Sequence, residues 1–122
     1  MTTENTLELL GAYYDSWQGG IERFDEARLR KVVHPRLVFE SPMGRKDQIE
    51  DLVTGLGRFN QTMNSRRMLQ LFAVGDEAAA IYDCELQPPI NHLRCTEFFR
   101  VEGGQITVIR LVFDATPYRA KL

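Results

Sequence analysis

The spacing of apolar residues changes near Arg67, and this change limits the folds that the chain can adopt. Residues 6–18 carry Tyr13 and Trp17 on neighbouring helical turns, which is typical of an amphipathic helix. Residues 79–87 instead alternate apolar and polar side chains, as a strand with one buried face does. Helices in the first half and strands in the second half predict an α+β fold.

Capping and turn residues set the limits of the predicted elements. Asp25 is a good N-cap for a helix that ends before Pro35, and a strand that begins at Leu37 stops at Pro42. The predicted helices span residues 6–18, 25–33 and 47–63, and the later strands span 68–74, 79–87, 93–101 and 106–114. We expect a single domain over residues 1–122, with about three N-terminal helices packed on a four- or five-strand antiparallel meander.

The composition limits the class of protein. The chain has 122 residues, of which 43% are hydrophobic and 26% are charged, and its formal net charge is -2. Such a chain is long enough to bury a core without metals or disulfides. It contains no basic run and no apolar run of membrane-spanning length, so we expect no nucleic-acid partner and no membrane partner. It also begins without a signal sequence, so we expect a cytoplasmic protein.

The pairing of strands 79–87 and 93–101 decides which residues share a face. If residues 88–91 form the loop, Cys84 lies opposite Cys95. The inward face then consists of Tyr82, Cys84, Leu86, Leu93, Cys95, Glu97, Phe99 and Val101. Glu97 is the unusual member, because desolvation on an apolar face raises the pKa of a carboxyl group and favours its protonated, donating form.

The two cysteines are expected to be reduced. Facing each other, Cys84 and Cys95 allow a cross-strand disulfide, but in a reducing compartment two small apolar side chains are the better expectation. They form no C-x-x-C motif and have no nearby histidine pair. We therefore expect no metal site and no cofactor.

A structural ion pair is the alternative interpretation of Glu97. A two-residue turn at Gly103 and Gly104 places Arg110 opposite Glu97 on the next strand. A three-residue turn places Ile109 there instead and leaves Arg110 on the outer face. We favour the three-residue turn, since it also turns Ile109, Leu111 and Phe113 inward.

The order of motifs resembles one known superfamily. A tyrosine-bearing helix is followed by W-x-x-G at 17–20, VFESPMG at 38–44, a third helix, and EFFRVEGGQITVIRLVFD at 97–114. This order and spacing resemble the nuclear-transport-factor-two-like superfamily, which includes ketosteroid isomerases, scytalone dehydratase and SnoaL-like polyketide cyclases. The resemblance implies a cone-shaped, cystatin-like α+β fold with a deep apolar pocket for a small apolar ligand. It also implies a homodimer through the outer face of the sheet.

The ketosteroid isomerases indicate which residues would form the site. In that family a tyrosine and a protonated acid hold the substrate oxygen, and an aspartate directly before a proline is the base. By resemblance, Tyr13 is the tyrosine and Glu97 the protonated acid, and we expect them within hydrogen-bond reach of each other. Ser41 stands at the position of the base, and Glu40 matches an acid that is not the base. By alternation along the strand, Phe39 and Ser41 face the pocket and Glu40 points away from it. A serine without a histidine partner is not basic near neutral pH, so proton abstraction has no obvious agent.

The predicted site therefore has three candidate catalytic residues and an apolar lining. The catalytic candidates are Tyr13, Glu97 and Ser41. The candidate ligand-binding residues are Trp17, Phe39, Met43, Phe59, Met63, Tyr82, Cys84, Phe99, Leu111 and Phe113.

Three functions are compatible with this site. The first is an isomerase, cyclase or dehydratase, in which the base is Glu40, turned inward by a bulge, or a group of the substrate itself. The second is a ligand-binding domain without turnover. The third is an interaction module that works through its dimer face.

Overall fold

The computed structural model describes residues 2–19 and 21–119. Within them lie four α-helices: α1 (Thr3–Asp15), α2 (Glu26–Val32), α3 (Ile49–Thr62) and α4 (Thr116–Arg119), with a short 3-10 helix at Ile21–Arg23. The six strands of the described residues are β1 (Val33–Ser41), β2 (Gly44–Lys46), β3 (Met63–Val74), β4 (Glu77–Leu86), β5 (His92–Glu102) and β6 (Gln105–Val112). The α+β class and the three helices ahead of the meander agree with the sequence, whereas α4 was not predicted.

The strands form one curved mixed sheet in the order β2-β1-β6-β5-β4-β3. Strands β3 to β6 form the predicted antiparallel meander. Strand β1, however, lies parallel to β6 at the other end of the sheet, and β2 pairs with β1. The expectation of a purely antiparallel sheet is therefore wrong, because alternation shows which side chains share a face but not which strand lies alongside.

Local hydrogen bonds explain where the first helices begin. The Thr2 hydroxyl accepts a hydrogen bond from the Asn5 backbone N–H at 3.1 Å, which caps α1. The Asp25 carboxylate accepts one from the Arg28 N–H at 3.0 Å and caps α2 at the predicted residue. Helix α3 begins at Ile49, two residues later than predicted, and its N-cap Gln48 makes no capping hydrogen bond through its side chain.

The turn after α1 requires a glycine. Gly19 has a φ of 103°, and a Cβ atom at this position would lie 2.9 Å from the Met63 carbonyl oxygen. Its N–H donates to the buried Asn60 side chain at 2.7 Å. This contact ties the end of α1 to α3 and so sets the position of the aromatic residues on α1.

The structure corrects the register between β4 and β5. Cys84 lies opposite Leu93, and Tyr82 lies opposite Cys95. The predicted pairing of Cys84 with Cys95 is wrong by two residues, because the loop takes in Gln87 and the Leu86 N–H bonds to the Asn91 carbonyl at 2.9 Å. A shift of two residues preserves the face, so all eight predicted inward residues are buried.

The turn between β5 and β6 is the two-residue form, so the favoured three-residue turn is wrong, although the pairing beyond the turn differs from both predictions. Gly103 and Gly104 form a two-residue turn with φ values of 59° and 79°. A bulge beyond Arg100 then shifts the pairing, so that Glu97 lies opposite Leu111. Arg110 is on the outer face, as expected, and its Nε donates to Glu40 Oε1 at 3.2 Å. The alternative ion pair between Glu97 and Arg110 is therefore excluded.

Candidate functional site

A cavity of about 460 Å³ lies among α1, α3, α4 and the inner face of the sheet. Its lining includes the three catalytic candidates, Tyr13, Ser41 and Glu97. It also includes seven of the predicted ligand-binding residues: Trp17, Phe39, Met43, Phe59, Tyr82, Leu111 and Phe113. The cavity has a buried floor, formed by Tyr13, Trp17, Tyr82 and Glu97, and an exposed mouth, formed by Met43, Lys46, Asp51 and Arg58.

Met63, Cys84 and Phe99 were predicted to bind ligand but do not line the cavity. All three are buried in the core. The ring of Phe99 packs edge-on against Tyr13, with ring centroids 5.5 Å apart, so α1 covers it. Inward alternation identifies buried residues, but the helices decide which part of the inner face stays open.

Several lining residues were missed from the sequence. Leu52 and Leu56 share one face of α3 with the predicted Phe59, and their helical spacing was a usable signal for this wall. Tyr118 lies on α4, where its ring meets Phe113 edge-on with centroids 5.8 Å apart. Nothing in the sequence pattern placed α4 against the cavity.

Glu97 is held at the floor by two tyrosines. The hydroxyls of Tyr14 and Tyr82 both donate to Oε1 of Glu97, each at 2.8 Å. The side chain is 2% exposed, and burial raises the pKa of its carboxyl group to about 7. The two hydrogen bonds and the positive charge of Arg66 oppose this increase but do not cancel it.

Tyr14, not Tyr13, makes the hydrogen bond to Glu97. The expectation that Tyr13 would reach Glu97 is not met, because the turn of α1 aims the neighbouring tyrosine at the carboxyl group. Tyr13 is 1% exposed, its hydroxyl makes no hydrogen bond to Glu97, and the Trp17 indole is its polar neighbour. Burial, and then the nearby charge of Glu97, raise the pKa of Tyr13 well above its usual value.

Trp17 places an unsatisfied donor at the floor. Its Nε1 is buried and makes no hydrogen bond of ordinary geometry with any described residue. The indole nevertheless opposes the rise in the Tyr13 pKa, so the two polar groups are neighbours. Buried polar groups without partners are rare in folded proteins. Their presence beside an apolar cavity indicates a site for a ligand.

Arg66 on β3 supports the aromatic floor from behind. Its guanidinium donates to the Tyr14 carbonyl at 3.0 Å and to the Trp17 carbonyl. It also stacks 4.4 Å from the centre of the Trp17 ring. A cation at the end of α1 satisfies carbonyls that the helix leaves free. Arg66 thereby keeps Tyr14 and Trp17 in place, a role that the sequence did not indicate.

Ser41 faces the cavity, and Glu40 faces away from it. Phe39 and Ser41 both line the cavity, as the alternation along β1 predicted. The Ser41 hydroxyl accepts a hydrogen bond from the Met43 N–H at 3.1 Å, so it stabilises the turn at Pro42. Glu40 is on the outer face with Arg110, and the hypothesis that a bulge turns Glu40 inward is wrong.

The chain was compared with known proteins. No model of a known protein family matches the chain, and no curated protein matches it. A Kribbella flavida protein, described only as a "known function protein", is 27% identical, with a TM-score of 0.82 over 93% of this chain and 90% of that chain. An LEH-like epoxide hydrolase from M. tuberculosis is 20% identical, with a TM-score of 0.75 over 93% of this chain and 85% of that chain. A Kribbella flavida protein provisionally named a ketosteroid isomerase is 22% identical, with a TM-score of 0.74 over 91% of this chain and 78% of that chain.

Other matching structures are nuclear-transport-factor-two-like proteins and a protein provisionally named a SnoaL-like polyketide cyclase. The chain therefore has the nuclear-transport-factor-two-like fold, which confirms the resemblance predicted from the sequence. A structure with a cystatin-like fold also matches. These neighbours carry names of different activities, so the fold alone does not select one.

The described residues include neither a membrane-spanning helix nor a cluster of metal ligands. No described helix is long and apolar enough to cross a membrane. The described residues also contain no group of three or more metal-ligating side chains placed to hold an ion.

Proposed function

We propose that the cavity binds a small apolar molecule and holds an oxygen atom of that molecule between Glu97 and Tyr13. The observation that carries the proposal is a buried carboxyl group on the floor of an apolar cavity, with both tyrosine hydrogen bonds on one of its oxygens. Because Oε1 accepts two hydrogen bonds, a proton on Glu97 belongs on Oε2. Protonated Glu97 and the Tyr13 hydroxyl are then two donors directed at one ligand oxygen.

These donors support acid-assisted chemistry. Hydrogen bonds in an apolar site stabilise negative charge that develops on a carbonyl oxygen. An isomerase, cyclase or dehydratase reaction uses such stabilisation when a proton leaves the neighbouring carbon. Ser41 supplies no base, and Glu40 lies outside the cavity. The proton acceptor is then a group of the substrate itself, since Asp51, the other carboxylate among the described lining residues, lies at the mouth.

Ligand binding without turnover is the second candidate function. It is favoured by Ser41, whose hydroxyl is held by the turn and has no histidine beside it. The remaining parts of the proposal are a single domain over residues 1–122, a homodimer and a cytoplasmic location. The exposed apolar residues on the outer face of the sheet support the homodimer, and the free thiols of Cys84 and Cys95 support a reducing compartment.

Binding of a neutral probe tests the proposal. We expect the methyl ester of hydroxynaphthoic acid, with its two groups at opposite ends of the ring system, to place its hydroxyl at the floor. Tyr13→Phe should weaken binding about tenfold, since one hydrogen bond to the ligand is lost. Tyr118→Phe, which removes a hydroxyl nearer the surface, is the matched control and should leave affinity unchanged. Fluorescence titration measures the affinity of each variant for the ester. Equal affinities of the two variants would refute the proposed hydrogen bond between Tyr13 and the ligand.

Exchange of ketone protons separates the two candidate functions. A hydroxytetralone in heavy water has exchangeable protons beside its carbonyl, and proton NMR follows their loss. An enzyme should accelerate this exchange, and Glu97→Leu should abolish the acceleration because the oxygen loses its donor. A binding domain should bind the ketone without accelerating exchange. Acceleration that survives Glu97→Leu would exclude Glu97 as the acid.

A further inference from the structure

Two cations from different elements line the mouth of the cavity. Lys46 is the last residue of β2, and Arg58 lies on α3. Both are exposed, and neither forms an ion pair with a described residue. Arg94, for example, is paired with Asp83 at 2.7 Å, whereas Lys46 and Arg58 are the two cations among the described lining residues. The mouth therefore holds two cations whose charge the described residues do not neutralise by direct pairing.

The pleat of β2 explains why Lys46 lies at the mouth. Lys46 is opposite Phe39, a lining residue, so the two side chains share the cavity face of the sheet. Arg45, one residue earlier, is opposite Glu40 on the outer face. Lys46 therefore lines the cavity, whereas the neighbouring Arg45 does not.

Helix α3 contributes one cation and one anion to the mouth. Asp51 and Arg58 lie two helical turns apart on the face that lines the cavity. Between them lies Gly55, at which a Cβ atom would meet nothing within 4 Å. Gly55 also lines the cavity, so no side chain fills the space between the two charges. The charged side chains of the mouth leave one net positive charge.

We propose that the ligand carries a carboxylate at the end opposite its buried oxygen, and that Lys46 and Arg58 bind this carboxylate at the mouth. This inference rests on the proposed function, because it takes the apolar body of the ligand to lie in the cavity with its oxygen at the floor. It adds the substrate class, which is an elongated apolar molecule with a neutral oxygen group at one end and an anion at the other. Lys46 and Arg58 determine specificity and take no part in a chemical step.

A matched pair of probes tests the inference. Hydroxynaphthoic acid and its methyl ester differ only in the charge at one end. At low ionic strength the acid should bind the wild-type protein about fivefold more tightly than the ester, since two exposed ion pairs form. High salt should reduce this preference, because the mouth is open to solvent. Fluorescence titration of the unmodified protein measures both affinities.

Variants locate the preference at the mouth. Lys46→Gln and Arg58→Gln should each reduce the preference for the acid about twofold, and the double variant should abolish it. Arg45→Gln removes the same charge from the neighbouring residue and should preserve the preference. Asp51→Asn should increase it, because a like charge is lost. All these variants should bind the ester as the wild type does.

Each other result has a defined meaning. Equal affinity for acid and ester in the wild type, or tighter binding of the ester, overturns the inference and leaves the proposed function intact. An equal loss of preference in Arg45→Gln and Lys46→Gln also overturns it, because the effect is then one of overall charge. Failure of both probes to bind refutes the proposed function and the inference together.

Discussion

The proposed function depends on the carboxyl group of Glu97. Its surroundings act in opposite directions, since burial favours the neutral form while Tyr14, Tyr82 and Arg66 favour the ionised form. Burial has the larger effect, and the group titrates near neutrality. A glutamate whose pKa lies near the working pH is suited to donate a hydrogen bond or a proton.

The free energy of unfolding should decrease as the pH rises, because the carboxyl group of Glu97 ionises more readily in the unfolded chain. The pKa of its carboxyl group rises from 4.5 to about 7 on folding, so the stabilising contribution is complete below pH 4.5 and is lost as pH rises through about 7. The total change is about 3 kcal/mol. Glu97→Gln stays neutral and keeps an oxygen for both tyrosines. It should match the wild type below about pH 4 and exceed its free energy of unfolding by about 3 kcal/mol above pH 8.

Urea denaturation across this pH range measures the difference. Glu102→Gln, an exposed glutamate at the end of the same strand, is the control and should follow the wild-type curve. Parallel curves for the wild type and Glu97→Gln would show that Glu97 does not change its ionisation on folding.

Removal of one tyrosine hydroxyl should raise the pKa of Glu97 further. The hydrogen bond from Tyr14 stabilises the ionised carboxylate, so Tyr14→Phe favours the protonated form. NMR of Glu97 labelled at its carboxyl carbon gives the pKa directly. Tyr13→Phe, which removes no hydrogen bond to Glu97, should change it much less. A lower pKa in Tyr14→Phe would contradict the hydrogen-bond geometry.

At the scale of elements, α3 forms one wall of the cavity. Leu52, Leu56 and Phe59 supply apolar contacts on the face that lines the cavity. Gly55 leaves this face open at its centre, where bare backbone meets the cavity. Glycine inside a helix lowers stability, and here it leaves space for a ligand.

Substitution of Gly55 should separate stability from binding. Gly55→Ala should raise the free energy of unfolding by about 0.5 to 1 kcal/mol, because alanine loses less conformational entropy and meets no neighbour. Gly55→Leu should keep the fold but weaken binding of the naphthoate ester, because its side chain fills the cavity. Urea denaturation and fluorescence titration measure the two effects.

A second glycine provides the comparison. At Gly57 a Cβ atom would lie 3.4 Å from the Phe24 ring, so Gly57→Ala should gain less stability than Gly55→Ala and leave ester binding unchanged. A loss of stability in Gly55→Ala would show that this position is not open.

At the scale of the whole molecule, the outer face of the sheet leaves apolar side chains exposed. Phe72 is 55% exposed and Val112 is 64% exposed. Phe72, Ala79, Phe98 and Arg110 form one row across four strands of this face. Apolar residues grouped on an exposed sheet are typical of an interface with another protein surface. The homodimer expected from the resemblance would cover this row.

Phe72→Asp should convert a dimer into a monomer. A charge in the centre of a paired apolar face stays unpaired, and its desolvation weakens association by several kcal/mol. Light scattering after size exclusion measures the molar mass of both proteins. Met43→Asp is the control, since Met43 is equally exposed at the mouth of the cavity and should leave the molar mass unchanged. A monomeric wild type over the whole concentration range would refute the dimer.

The sequence by itself determined the fold class and the faces of the strands. Helical spacing and alternation depend on residues a few positions apart, so they identified α1 to α3, the meander and the inward position of Glu97. The capping role of Asp25 and the outward position of Glu40 follow from the same local rules. The motif order was sufficient to indicate the superfamily whose fold the structure shows.

Only the tertiary structure decided how these faces meet. The parallel pairing of β1 with β6 and the bulge beyond Arg100 join parts of the chain that no local pattern connects. No local pattern connects Tyr14 with Glu97 either, because these two residues are 83 positions apart. The structure alone therefore shows that Tyr14, and not Tyr13, bonds to Glu97. Two adjacent tyrosines on a helix look equivalent in the sequence. The packing of α1 on the sheet separates them: Tyr14 bonds to Glu97, and Tyr13 lines the cavity without reaching it.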